Sequence, residues 1–349
     1  MKNTACAVLM VILLANPLTA QDPRHGGGET PKNVCIQPQE YKLIQETQIR
    51  IEPQLRGATA AVMFQDPMAD GTNSSGKTVV NYVDLDPTSG LKDYNCGTVT
   101  YNGHNGVDIE ILDFYEMDEG IPVLCSAPGT VTFVRDGEDD RNTVWVTGTL
   151  ANTVVVTHAD GSQAYYLHFR KGSLRVPLNQ TVSAGDTLGL VGSSGFSSGP
   201  HLHFEVRVSG VVKDPFQGTC QPDASLWQNQ GAYVLSLPFA LMNHGLTTIP
   251  LSGQTAWAMI SERPPSKTHV TAGTTIYSWI RLRNVLSSDV LTWKFYANNS
   301  LWNEYSFSPS DTYSSSWWYI YWNLPASGTL YGNWKIEIYR NGALIAEQP

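Results

Sequence analysis

The chain has 349 residues, enough for about two domains with cores of their own. Its formal charge is −9, and −10 once Lys2 leaves with the leader described below, which argues against a nucleic-acid partner and gives no reason to expect electrostatic adhesion to anionic polymers. No later segment approaches the ~20 apolar residues that a membrane helix needs, so no membrane span is expected.

Residues 1–20 read as a signal peptide. Lys2 supplies the positive start, Ala5 to Leu14 is an apolar run too short to span a bilayer, and Leu18-Thr19-Ala20 ends in a small residue. A secreted or periplasmic protein is therefore expected. Cys6 lies inside the leader and lacks the small-residue context of a lipid-anchor site. That leaves Cys35, Cys96, Cys125 and Cys220, an even number suited to two disulfides in an oxidising compartment; three pairings satisfy them equally.

Residues 21–75 form an N-terminal extension. Positions 21–40 are rich in Gly, Pro, Asn and Gln and read as a mobile lead-in, while Tyr41 to Ile51 alternates weakly and reads as a strand. Lying ahead of the first candidate ligand, this extension could serve as a pro-segment over a groove.

Residues 76–217 carry short alternating segments separated by Gly, Pro or Asp-Gly. They are Thr130 to Val134, Val144 to Thr147, Thr153 to His158, Gln163 to His168, Thr187 to Val191 and His201 to Val208. No segment of comparable length has a helical period, so the expectation is an all-β core of antiparallel sheet. After a turn-rich linker at 218–232, residues 233–349 hold eight of the ten tryptophans and alternate cleanly. Ile276, Ser278, Ile280 and Leu282 oppose Tyr277, Trp279, Arg281 and Arg283. Trp334, Ile336 and Ile338 share a face ahead of the hairpin signal Asn341-Gly342. A C-terminal β-sandwich accounts for this pattern. Trp317, Tyr319 and Tyr321 would share one strand face. They read as sandwich core and interface rather than as a platform for sugars, because aromatics bury large areas.

Half of the eight histidines fall in three central clusters. In the first, His104 and Asp108 are four apart, but Gly103 and Gly106 disfavour a helix. A straight strand would separate them by ~13 Å, so the glycines must supply a bend before one metal ion can touch both. The second cluster is Tyr165-Tyr166-Leu167-His168-Phe169, which alone reads as an ordinary semi-buried histidine. In the third, Gly-Pro-His-Leu-His-Phe-Glu-Val at 199–206, His201 and His203 point to one face of a strand and Leu202 to the other. Two co-facial imidazoles suit a metal ligand and its catalytic neighbour. A Gly/Ser-rich loop at 192–200 approaches them. It contains a G-x-S-x-G match at 195–199, but Pro200 and a strand follow where a serine hydrolase needs a helix. Cys96 or Cys125 could bind zinc in principle, although disulfide pairing suits an exported chain better. His158 reads as a turn residue, and His25, His244 and His269 have no evident partners.

Together these segments resemble the lysostaphin-like (LytM-type) zinc metallopeptidases that cut the peptide part of bacterial peptidoglycan. The resemblance runs from about Tyr94 to Pro215. It rests on Gly-His-Asn-Gly-Val-Asp at 103–108, Ala-Pro-Gly-Thr-Val at 127–131, Asn-Thr-Val-Val-Val-Thr-His at 152–158, Tyr-Leu-His at 166–168, Val-Gly-Ser-Ser-Gly at 191–195, Gly-Pro-His-Leu-His-Phe-Glu at 199–205 and Asp214-Pro215. One departure is Phe169, where the family usually has Leu. The resemblance implies one Zn2+ per chain held by His104, Asp108 and His203, with His168 and His201 as catalytic residues and peptidoglycan peptides as substrate. Which histidine takes which role is left open. The implied activity is a zinc metalloendopeptidase working through zinc-activated water. The alternatives are a catalytically silent peptidoglycan-binding or amidase-regulating module and an endopeptidase for glycine-rich extracellular proteins.

Overall fold

Short two-faced segments cannot bury an apolar face alone, and here they pair into antiparallel sheets. The computed structural model describes residues 24–29, 36–48, 61–69, 77–326 and 332–349. The leader, Cys6 and Cys35 lie outside the described residues. In chain order the elements are β1 (Arg24–Glu29), α1 (Pro38–Thr47), β2 (Thr78–Asn81), β3 (Val107–Glu110), α2 (Phe114–Glu119), β4 (Pro122–Leu124), β5 (Gly129–Arg135), β6 (Thr153–His158), β7 (Gln163–Leu167), β8 (Thr181–Val182), β9 (Thr187–Leu190), β10 (His201–Val208) and β11 (Val211–Lys213). They continue as β12 (Ala240–Thr247), α3 (Gly253–Ser261), β13 (Thr275–Val285), β14 (Leu291–Ala297), β15 (Ser300–Phe307), β16 (Tyr313–Asn323), β17 (Trp334–Arg340) and β18 (Ala343–Gln348).

The larger sheet runs β2-β3-β10-β7-β6-β5-β8, with β11 on β10, and β4 pairs with β9 in a separate ribbon. Strand alternation sorts the sheet's side chains between its faces. Leu202, Phe204 and Val206 of β10 join Val107, Ile109, Val154, Val156 and Tyr166 in one core. Phe204 sits among the rings of Tyr166, Trp227 and Phe64, at 5.3, 5.3 and 5.9 Å between centroids. On the opposite face Phe133, Val155, Tyr165 and Leu167 cluster with Ile36 and Ile44 under α1, alongside Tyr41.

The C-terminal region is a β-sandwich. Its sheets, β1-β16-β13-β12 and β15-β14-β17-β18, enclose a core that includes Ile276, Ile280, Trp293, Phe295, Trp318, Ile320, Ile336 and Ile338. Asn341 and Gly342 turn β17 into β18 with φ of 50° and 81°, the left-handed values that a tight hairpin turn requires.

Several expectations are corrected. Tyr41 to Thr47 belong to the helix α1 and not to a strand, and residues 49–51 of the expected strand lie outside the described residues. Pro38 is pre-set for the first helical turn. Helical spacing then puts Gln37, Glu40, Ile44 and Gln48 on one face; Gln37 and Glu40 accept from the Gly148 and Ala151 N–H groups of the loop between β5 and β6, and Gln48 donates to Thr132 of β5. Three helices, α1, α2 and α3, were hidden from periodicity because each is short. The lead-in is not wholly irregular, since β1 pairs along β16. His25 there stacks on Phe307 at 4.6 Å and bonds to the Tyr305 hydroxyl. Val144 to Thr147 forms no strand, and Val144 and Val146 are exposed. His158 ends β6, buried, with Nδ1 donating to the Pro128 carbonyl. Two disulfides are not realised among the described residues. Cys96 bonds Cys220, whereas Cys125 is a buried free thiol that donates to the Ala127 carbonyl, its pKa pushed up to about 11 by burial. Trp317 and Tyr319 are buried against α3, in line with the core reading of the aromatic row.

Candidate metal centre

Register brings the first two candidate ligands together. Antiparallel pairing of β3 with β10 sets Asp108 directly opposite His203, and Glu110 opposite His201. His104 arrives by the expected bend. Gly103 adopts φ +76°, and the His104 N–H donates back to the Tyr101 carbonyl at 3.0 Å. Gly106 must lack a side chain, because a Cβ there would lie 2.5 Å from the His203 ring.

The donor atoms of His104, Asp108 and His203 all lie within 4.8 Å of one another. The distances are 3.2 Å from His104 Nε2 to His203 Nδ1, 3.2 Å from His104 Nε2 to Asp108 Oδ1, and 2.9 Å from His203 Nδ1 to Asp108 Oδ1. Tetrahedral zinc with bonds of about 2.0–2.1 Å sets its ligands about 3.3 Å apart, so this triangle fits it. Proton placement agrees. His104 Nδ1–H donates to the Tyr82 carbonyl at 2.7 Å, which turns the Nε2 lone pair inward. His203 Nε2 faces Glu205 Oε2 at 3.5 Å, an acceptor that favours the proton on Nε2 and the lone pair on Nδ1. Two nitrogen lone pairs and a carboxylate oxygen then converge, an arrangement that calls for a cation. All three residues are almost fully buried, at 1%, 2% and 1% exposure. Burial acts to raise the Asp108 pKa, but when the two imidazoles are protonated, the charge of His104 and hydrogen bonds from His104 and His203 hold it well below the usual carboxylate range. The Asn81 amide donates to the other carboxylate oxygen, Oδ2, at 2.9 Å.

His168 and His201 join this group, with ring centroids 4.5 Å apart; His168 lies 6.1 Å from His203. His201 Nε2 is 3.8 Å from Asp108 Oδ1. His168 is held in the left-handed region, φ +70°, just past β7. The Gly/Ser loop pins both rings. His168 Nδ1–H donates to the Ser194 carbonyl at 2.7 Å, and His201 Nδ1–H donates to the Gly199 carbonyl at 2.8 Å. Each ring therefore has its Nδ1 proton committed to backbone, leaving Nε2 as the atom for proton exchange. The loop's Ser197 hydroxyl donates to the Gly199 carbonyl at 3.0 Å and its neighbour is a strand, so no serine nucleophile is built here. Cys96 is consumed by its disulfide and Cys125 lies in the core, which removes both from the ligand set.

Sequence reasoning missed the supporting partners. Glu205 and Arg207 continue the inward face of β10 and form an ion pair, and the Tyr41 hydroxyl of α1 donates to Glu205. Period-2 spacing from His201 and His203 was the signal available for Glu205 and Arg207. Asn81 had the signal of an amide ending the apolar Val79-Val80 run. Nothing local pointed to the Tyr82 carbonyl or to Tyr41.

Residues 102–215 match the Peptidase family M23 model. The matched stretch contains all five inward-facing positions, His104, Asp108, His168, His201 and His203. A stretch of this chain is 34% identical over 116 residues to the DD-carboxypeptidase/endopeptidase Mpg of Neisseria meningitidis serogroup B, covering 33% of this chain and 23% of that protein. It is 35% identical over 107 residues to the peptidoglycan DD-endopeptidase ShyA of Vibrio cholerae, covering 31% of this chain and 21% of that protein. The match thus spans less than a quarter of the length of these relatives. Among solved structures, the catalytic domain of the antimicrobial peptidase lysostaphin from Staphylococcus simulans is 25% identical, covering 39% of this chain and 85% of its own, with a TM-score of 0.26.

Proposed function

We propose that this chain is an extracytoplasmic zinc metalloendopeptidase that hydrolyses peptide cross-links or stem peptides of bacterial peptidoglycan. The observation that carries the reading is the convergence of two imidazole nitrogens and a carboxylate oxygen beside two histidines whose Nδ1 protons are pinned to backbone. His104, Asp108 and His203 would hold the metal. Three protein ligands of this type leave a position for water or substrate, as catalytic sites do. Zinc there supplies a Lewis acid that polarises a peptide carbonyl and acidifies water. The protein's own contribution is proton handling. His168 and His201 between them take the proton of the attacking water through Nε2 and hydrogen-bond the oxygen that becomes negative. The signal-like leader and the Cys96–Cys220 disulfide support an extracytoplasmic location.

The domain plan has residues 76–217 as the peptidase unit, 218–232 as linker and 233–349 as accessory sandwich. We propose residues 21–75 as an inhibitory pro-segment, because α1 lies across the face that carries the site. Tyr41 reaches Glu205, Asn105 donates to the Tyr41 hydroxyl at 3.4 Å, and the Arg207 guanidinium stacks on the Tyr41 ring at 4.1 Å.

Release of amino groups from purified peptidoglycan, with and without a chelator, tests the activity. Hydrolysis that stops with chelation and returns with zinc is expected; hydrolysis indifferent to zinc removal contradicts the mechanism. A Tyr41→Ala/Ile44→Asp variant, which undocks α1 and leaves Phe64 and β1 in place, should be more active, and equal specific activity disposes of the pro-segment.

A further inference from the structure

We infer that Trp257, on α3 of the C-terminal region, is a positioning residue for His201. The inference rests on the proposed catalytic role of His201. Trp257 lies outside residues 102–215, the stretch that matches the peptidase family.

The contact is direct and buried. The Trp257 indole N–H donates to the Ser198 carbonyl at 2.5 Å, and the side chain is 1% exposed. Its ring also closes over the next residue, since a Cβ on Gly199 would stand 3.0 Å from Trp257 Cζ2. Gly199 therefore has a reason to be glycine that lies in another domain. The Gly199 carbonyl is the acceptor for His201 Nδ1–H, so the two peptide units that Trp257 grips end at the group that aims the imidazole.

The indole is itself fixed from behind. Arg281 of β13 stacks on it at 4.9 Å and pairs with Glu110 Oε1 at 2.8 Å. Ser315 of β16 donates to the other Glu110 oxygen at 2.9 Å. Glu110 is the register partner of His201 on β3. His201 is thus bracketed twice by the sandwich, through the loop that precedes it and through the strand beside it. Displacing a catalytic group by about 1 Å can cost about 100-fold in rate, so a clamp of this kind acts on turnover rather than on binding.

The test uses Trp257→Phe, which keeps an aromatic ring and loses the donor, and Trp257→Ala, which loses both. The expected result for Trp257→Phe is a kcat about 10-fold to 100-fold lower, with KM and zinc content unchanged. In a His201→Ala background the same substitution should have no further effect, because both act through one imidazole. A kcat unchanged in Trp257→Phe, or an equal drop with and without His201, overturns the inference. The activity-independent readout is the His201 Nδ1–H resonance in 15N-histidine spectra. It should exchange faster with solvent in Trp257→Phe while that of His168 stays as in wild type; no change in His201 contradicts the clamp. A wild-type chain that cleaves no peptidoglycan would sink the proposed function, and the resonance would still decide the positioning role.

Discussion

At the scale of single residues, the site is held by backbone carbonyls as much as by side chains. His104, His168 and His201 each spend Nδ1–H on a main-chain acceptor, belonging to Tyr82, Ser194 and Gly199. Such partners fix tautomer and ring direction, and no side-chain motif in the sequence announces them. Asn81 does the same for Asp108 through Oδ2. Substituting a partner that orients a metal ligand costs about 10-fold to 100-fold in metal affinity. Asn81→Ala should therefore bind zinc about 10-fold to 100-fold more weakly, measured by competition with a chromogenic chelator; unchanged affinity would show that the amide is dispensable. The candidate ligands were named through the family resemblance, because H-x-H alone also suits a surface pair and the glycine-flanked His104 to Asp108 also suits a polar turn. The strand spacing predicted that His201 and His203 share a face, and β10 shows it.

At the scale of elements, what was readable depended on length and on where burial comes from. β6 and β10 match their expected bounds because alternation there directly separates a core face from a site face. α1 was misread because its ten residues carry no apolar stripe of their own, and only docking on the sheet defines its buried side. That docking carries a pH dependence. Burial pushes the Glu40 pKa up to about 7 from its ordinary 4.5, although the Ala151 N–H and then Arg135 act to lower it. His203 also favours the ionised form and Glu138 opposes it. Between pH 4.5 and about 7 the docked helix keeps a proton that the undocked one has released, so docking weakens as pH rises through this window. Glu40→Gln keeps an acceptor for Ala151 and removes the ionisation. Hydrogen exchange of residues 36–48 from about pH 5 to about pH 8, corrected for intrinsic rates, should show protection falling in wild type and staying level in the variant. Equal protection at both ends in wild type would rule the charge out.

At the scale of the whole molecule, the sandwich and the sheet that carries the candidate site are joined by more than a linker. Buried Arg281–Glu110 and the bidentate pairing of Arg263 with Asp113 cross between them, and Arg141 links Asp118 to Glu262. None of this was legible, since pairing between residues 150 apart in sequence leaves no local pattern. The expected boundary near residue 233 came from the change there in tryptophan content and turn density. The Cys96–Cys220 disulfide ties the segment ahead of the sandwich back to the first unit, closing 124 residues. Loops of this length are worth about 2–5 kcal/mol when closed, so Cys96→Ser should lower unfolding stability by about that amount without changing zinc stoichiometry. A change below about 0.5 kcal/mol in denaturant unfolding would show that the bond adds little.

On the proposed function, these ties serve a centre in which His203 would hold the metal while His201, on the same strand face, would handle the proton. Measuring zinc content and peptidoglycan hydrolysis together in His203→Ala and His201→Ala tests that division. The account predicts that His203→Ala loses both zinc and activity, and that His201→Ala keeps one zinc per chain while kcat falls about 100-fold to 10,000-fold. Equal zinc in both variants, or full activity in either, would contradict it.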